Sequence, residues 1–169
     1  MNKETKKILV VDDEQDVRSY LKAALQDAGF QVTTAVDGFD ALEKVQAELP
    51  DLISLDLVMP RHSGAMFHRG LRKNKRWAKI PVLIVTGHAQ DDLGKSDFEE
   101  LIMYGPGVYL EKPVSPAAYV KAVCKLLGVA LPEGVEKSAN DLRDELESKL
   151  KNADPDALQR ALEALKKNR

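Results

Sequence analysis

The chain has 169 residues, 44% of them hydrophobic, with 25 Lys and Arg against 27 Asp and Glu, the balance of a globular chain and not of a disordered or fibrous one. A formal net charge of −2 and the lack of any local basic patch argue against nucleic acid and against an anionic membrane surface as partners. The lone Cys124 can form no internal disulfide, there is no signal-peptide core, and no apolar window approaches roughly 18 residues, so a cytoplasmic location is expected.

In chain order, Ile8–Val11 ("ILVV") is apolar without alternation, as a strand buried on both faces requires, and it runs straight into Asp12, Asp13 and Glu14. Val17, Tyr20, Leu21, Ala24, Leu25 and Ala28 then follow helical spacing, and Gly29 stands where a left-handed cap would end that helix. Gln31–Val36 alternates and suits an edge strand. Ala41, Leu42 and Val45 predict a second helix, Leu52–Leu55 a third strand ending at Asp56, and Met66, Phe67, Gly70 and Leu71 a third helix. Val82–Val85 predicts a fourth strand ending at Thr86. A less regular crossover over His88–Tyr104 leads to a fifth strand at Val108–Leu110, followed by Lys112-Pro113. Ser115-Pro116 supplies an N-cap and first-turn proline for a helix reaching about Leu127.

Five strands alternating with helices predict an α/β fold, a doubly wound five-stranded parallel sheet covered on both faces. Ligands of such sheets bind beyond the carboxyl ends of the strands. Four of those ends carry Asp12-Asp13, Asp56, Thr86 and Lys112. Two carboxylates about 4 Å apart repel by roughly 4 kcal/mol at an effective dielectric of 20, so the cluster requires a cation or a raised pKa. Oxygen donors in small number point to Mg²⁺, which keeps several of its waters. Taken singly, the acids have a plainer reading as loop and helix-start residues.

The segments "VVDDE", "SLDLVMPRHSG", "VLIVTG" and "VYLEKP" resemble, in order and spacing from about Lys6 to Val129, the receiver domain of bacterial two-component response regulators. The resemblance implies a (βα)5 flavodoxin-like fold with strand order 2-1-3-4-5. It also implies that Asp56 is the phosphoacceptor for a histidine kinase or phosphotransfer protein. Mg²⁺ would be held by Asp13, Asp56 and the Val58 backbone carbonyl, with Asp12 acting through water. Lys112 would pair with the phosphoryl oxygens, the Thr86 hydroxyl would move to bond another, and the Tyr109 ring would turn inward behind it. Pro60 and Gly64 would shape the loop after the acceptor, and Pro113 would follow a cis peptide. Output would pass through the surface of the fourth helix, fifth strand and fifth helix, which departs from the family in a longer 86–112 segment containing "GPG". His62, His68 and His88 are read as solvated residues.

The receiver is expected over 5–130 and a short helical extension over 131–169. In that extension Ala139, Leu142, Leu146, Leu150 and Ala153 form one apolar stripe. After Asp154-Pro155, residues Leu158, Ala161, Leu162 and Leu165 form a second. Nine acidic against eight basic residues from Glu133 onward argue against a nucleic-acid arm, and the stripes would pack on the receiver, dimerise the chain or dock an effector. The function expected is a stand-alone response regulator signalling to an unknown downstream protein, not an enzyme and catalysing only its own phosphorylation and dephosphorylation. The alternatives are a receiver-like adaptor that is never phosphorylated and an aspartate-nucleophile Mg²⁺ phosphatase; the latter wants a second acid where Val58 stands.

Overall fold

The computed structural model describes residues 4–59, 63–87, 109–135, 146–147 and 149–167. The chain divides into two units, 1–135 and 136–169. In the first, β1 (Lys7–Val11), α1 (Gln15–Asp27), β2 (Gln31–Ala35), α2 (Gly38–Ala47), β3 (Leu52–Leu55) and α3 (Gly64–Lys73) are followed by β4 (Val82–Thr86), β5 (Tyr109–Glu111) and α4 (Pro116–Leu127). The five strands are parallel in the order β2-β1-β3-β4-β5. This is the doubly wound α/β architecture read from the sequence. The helix expected within 88–104 lies outside the described residues, as do Pro60, His62 and His88, so α4 here is the last predicted helix of the receiver.

Sequence pattern accounts for this arrangement strand by strand. β3 and β4 are buried along their whole length, as a central parallel strand must be, while β2 alternates and stands at the edge. On one sheet face Leu9, Val11, Ile53 and Leu55 pack with Ala41 and Val45 of α2 and Phe67 and Leu71 of α3. On the other, Ile8, Val10, Leu52, Leu83 and Val85 pack with Leu21 and Leu25 of α1 and Tyr119, Val120 and Val123 of α4. The first unit extends through Val135 because Val129, Leu131 and Val135 pack against this second core. Ser115 caps α4 by accepting from the Ala118 amide at 3.2 Å. Gly29 and Gly128 end α1 and α4 at φ 89° and 64°, where a side chain would be strained.

Three details differ from the sequence pattern. Tyr20 and Met66, counted among the apolar faces, are 45% and 53% exposed. Tyr20 lies outside because its hydroxyl needs a partner, which it finds by donating to the Val114 carbonyl at 3.1 Å. In α3 the buried stripe is Gly64, Phe67, His68 and Leu71, an i, i+3, i+4, i+7 set that excludes Met66 and includes a histidine expected to be solvated. His68 is 4% exposed, and its Nε2 lies 3.5 Å from Nη2 of Arg72.

Burial first, and the Arg72 charge second, lower the His68 pKa to about 4. Between that value and the ordinary one near 6.5, the unfolded chain holds a proton that the native state lacks, so stability rises with pH across this window. Between pH 7 and pH 5 the wild type is expected to lose about 2 kcal/mol from this group. Urea unfolding of His68→Leu at both pH values should show that share of the slope gone; an unchanged slope would mean that His68 charges freely.

In the second unit, α5 (Pro155–Lys167) begins at Asp154, whose carboxylate accepts from the Ala157 amide at 2.9 Å. Leu146, Leu150 and Leu162 are exposed; Ala139 and Leu142 lie outside the described residues. Among the described residues, no helix is long and apolar enough to cross a membrane.

Candidate functional site

Strand register alone brings the chemistry-bearing residues together. Val11 pairs with Leu55, so Asp12 and Asp56 leave adjacent strands side by side. The Asp56 amide donates to the Val11 carbonyl at 2.9 Å and the Asp12 amide to the Ala35 carbonyl at 3.2 Å, extending the ladders by one residue. Thr86 pairs with Glu111, and the Lys112 amide donates to the Thr86 carbonyl at 2.9 Å. A one-residue slip in any of these pairings would turn a polar side chain to the opposite face.

Asp12 and Asp56 are buried and Asp13 is exposed, yet one carboxylate oxygen from each lies within 4.8 Å of the others. Asp56 Oδ1 accepts from the Thr86 hydroxyl at 2.8 Å and from the Val58 amide at 3.2 Å, while Oδ2 accepts from Lys112 Nζ at 3.3 Å. The same ammonium donates to Asp12 Oδ2 at 2.7 Å and stands 3.9 Å from Glu14. Asp12 Oδ1 in turn accepts from the Glu14 amide at 2.9 Å. Burial pushes the Asp56 carboxyl up, with Lys112 and the Thr86 hydrogen bond opposing it. For Lys112, burial would lower the pKa, but the hydrogen bond to Asp12 and the charges of both aspartates outweigh it and hold the ammonium protonated.

Among the described residues the site is thus an all-oxygen acidic cluster beside a partly buried ammonium. Thr86 is already bonded to Asp56, and Lys112 is held more closely by Asp12 than by Asp56. Val58 contributes its amide to Asp56 and is otherwise 43% exposed. Tyr109 is half-buried against the α2/α3 core and donates to the Gly87 carbonyl at 3.4 Å. The Lys112-Pro113 peptide is cis.

Gly64 is where α3 begins and approaches the backbone of Asp56 and Leu57. Its amide donates to the Leu57 carbonyl at 3.2 Å, and an added Cβ would stand 1.9 Å from the Asp56 carbonyl oxygen and 2.7 Å from the Leu57 Cα. Backbone atoms cannot swing aside as a flexible side chain can. Gly64→Ala is therefore expected to cost about 3 kcal/mol, the upper range for overpacking, read as a lowered urea midpoint; a loss below about 0.5 kcal/mol would contradict this close approach.

One residue at the site had no sequence signal beyond its position. Arg18, on the first full turn of α1, donates from a single Nη1 to the carbonyls of Asp12 and Asp13, both at 2.8 Å. A polar residue on a helix's outer face ordinarily reads as solvated, and only its place just after an acidic run distinguishes it.

A family model described as response regulator receiver domain matches residues 8–124. The chain belongs to that family. The alkaline phosphatase synthesis transcriptional regulatory protein PhoP of Bacillus subtilis is 36% identical over 86% of this chain. The protein Rrf1 of Nitratidesulfovibrio vulgaris is 31% identical over 72% of this chain and 82% of its own length. This receiver-family chain spans 57% of the length of PhoP and 8% of that of a hybrid signal transduction histidine kinase of Dictyostelium discoideum. Among solved structures it is similar to the chemotaxis response regulator CheY4 of Vibrio cholerae, at 31% identity and a TM-score of 0.63 over 72% of this chain and 98% of that one. The receiver domain of the sensor histidine kinase PA1611 from Pseudomonas aeruginosa, solved with a magnesium ion coordinated in its active-site cleft, matches at 25% identity and a TM-score of 0.64 over 73% of this chain and 98% of that one.

Proposed function

We propose that this receiver is a phosphorylatable switch, in which Asp56 takes a phosphoryl group from the phosphohistidine of a sensor kinase or phosphotransfer protein. The observation that carries this reading is the placement of a buried acceptor carboxylate between a second carboxylate, a protonated Lys112 and the Thr86 hydroxyl. In the transfer, the phosphorus–nitrogen bond breaks as a bond to an Asp56 carboxylate oxygen forms, and the imidazole leaves with the electron pair. Oδ1 already accepts two hydrogen bonds, so Oδ2, with its single longer contact, is the more available nucleophile.

The donor set fits a hard divalent cation. Three carboxylate oxygens lie within 4.8 Å of one another, two of their side chains are buried, and the exposed Asp13 leaves an open side where an ion can keep its waters. Asp13 and Asp56 would hold Mg²⁺ with the Val58 carbonyl, and Asp12 would act through water. When bound, Mg²⁺ supplies positive charge against the phosphoryl oxygens. Lys112, beside Asp56 Oδ2, offsets the same charge from the protein side, so positioning and electrostatics carry the step.

Thr86 must release Asp56 Oδ1 before its hydroxyl can bond a phosphoryl oxygen, and that exchange would start the switch. Tyr109 would turn inward behind it, altering the face of β5 and α4 for an unidentified protein effector. Incubation of the protein with Mg²⁺ and a small acyl phosphate, followed by intact-mass measurement, tests the reading. One phosphoryl group per chain, absent with EDTA, is expected. No gain would leave the non-phosphorylated adaptor, and many donor molecules consumed per chain would favour the phosphatase.

A further inference from the structure

We infer that Arg18 is a positioning residue for the divalent ion, acting through the backbone of the Asp12-Asp13 pair. The inference rests on the metal reading above and extends it to a residue outside the proposed ligand set. One guanidinium nitrogen donates to two successive carbonyls, each at 2.8 Å. It therefore turns two neighbouring peptide planes toward one point. Arg18 is itself fixed by the first turn of α1, where its amide donates to the Glu14 carbonyl at 3.0 Å.

The two aspartates depend on this clamp to different degrees. The Asp12 carboxylate is held at both oxygens, by the Glu14 amide and by Lys112. Among the described residues, no hydrogen bond or ion pair holds the Asp13 carboxylate, which is exposed. The aim of Asp13 toward Asp56 is therefore set by its own backbone, and Arg18 holds that backbone. Groups that orient metal ligands from behind in this way typically contribute 10- to 100-fold in metal affinity.

The sign of the effect separates this role from simple charge. As a nearby positive charge Arg18 would repel Mg²⁺, and its neutralisation would tighten binding; as a clamp, its removal loosens the ligand pair and weakens binding. Calorimetric titration of the full chain with MgCl₂ reads the difference directly. Arg18→Met and Arg18→Gln, both too short and both neutral, are each expected to weaken Mg²⁺ about 10-fold, with Asp13→Asn weakening it at least as far. Melting in EDTA reports any purely structural contribution, which would lower the midpoint and leave the Mg²⁺ affinity unmoved. Either neutral variant suffices if the other fails to fold. Affinity equal to or tighter than wild type in a folded variant overturns the inference. A wild type that takes up no Mg²⁺ removes the reading beneath it, and the inference with it.

Discussion

Asp56→Asn is expected to take up no phosphoryl group from any donor, with or without Mg²⁺, while remaining folded. A carboxamide has the shape of the carboxylate but no oxygen nucleophile of comparable strength. Its oxygen can still accept from the Thr86 hydroxyl and the Val58 amide, at 2.8 Å and 3.2 Å in the wild type. Its amino group would face the Lys112 ammonium, an unfavourable pairing of two donors, but Lys112 retains its 2.7 Å bond to Asp12. Against that loss stands a gain, because burial already disfavours the charged form of Asp56. The two effects oppose, so unfolding stability should change by no more than about 1 kcal/mol. Intact mass and urea unfolding on the same preparation separate lost chemistry from lost structure. A full phosphoryl gain in a folded Asp56→Asn would move the acceptor to another residue.

How much of this was legible in the sequence varies with the kind of signal. Buried parallel strands declare themselves through unbroken apolar runs, the end of α1 through Gly29 and the start of α4 through the Ser115-Pro116 pair. Strand ends then place Asp12, Asp56, Thr86 and Lys112 on one edge, because register propagates across the ladder without further information. Side-chain environment was harder to read. His68 reads as solvated from its polarity, yet it completes the i, i+3, i+4, i+7 stripe of α3, where periodicity outranks residue type. Tyr20 and Met66 failed in the opposite sense, since an apolar body beside stronger core residues need not face inward. Arg18 was illegible because its function lies in contacts to carbonyls, which no sequence pattern encodes. The direct Thr86–Asp56 bond was missed for a related reason: resemblance describes where Thr86 moves, not where it starts.

Lys112→Met should be the most destabilising single change at the site, and its cost should depend on Mg²⁺. The ammonium lies 2.7 Å from Asp12 Oδ2 and 3.3 Å from Asp56 Oδ2, with side-chain exposures of 2% and 5% for the two acids. Removing it leaves two buried carboxylates facing each other, and breaking a buried pair in this way costs about 3–5 kcal/mol. In EDTA the variant is expected to unfold at markedly lower urea than wild type. A divalent cation can replace part of the missing charge, so saturating Mg²⁺ should narrow the difference; for an ordinary core lesion it would not. Acid should narrow it too. Without Lys112 the Asp56 carboxyl, already raised by burial, loses the charge that lowers it, so it protonates at a higher pH and the repulsion ends there. Phosphoryl uptake is not expected to recover with stability, because Mg²⁺ cannot also occupy the position from which Lys112 would meet the phosphoryl oxygens; a loss of at least about 100-fold in rate is expected, comparable to removing one preorganised donor from a charge-stabilising site. A variant as stable as wild type in EDTA would show that Asp12 and Asp56 share the site without needing the ammonium. One that regains full uptake with Mg²⁺ would reduce Lys112 to a structural counter-ion.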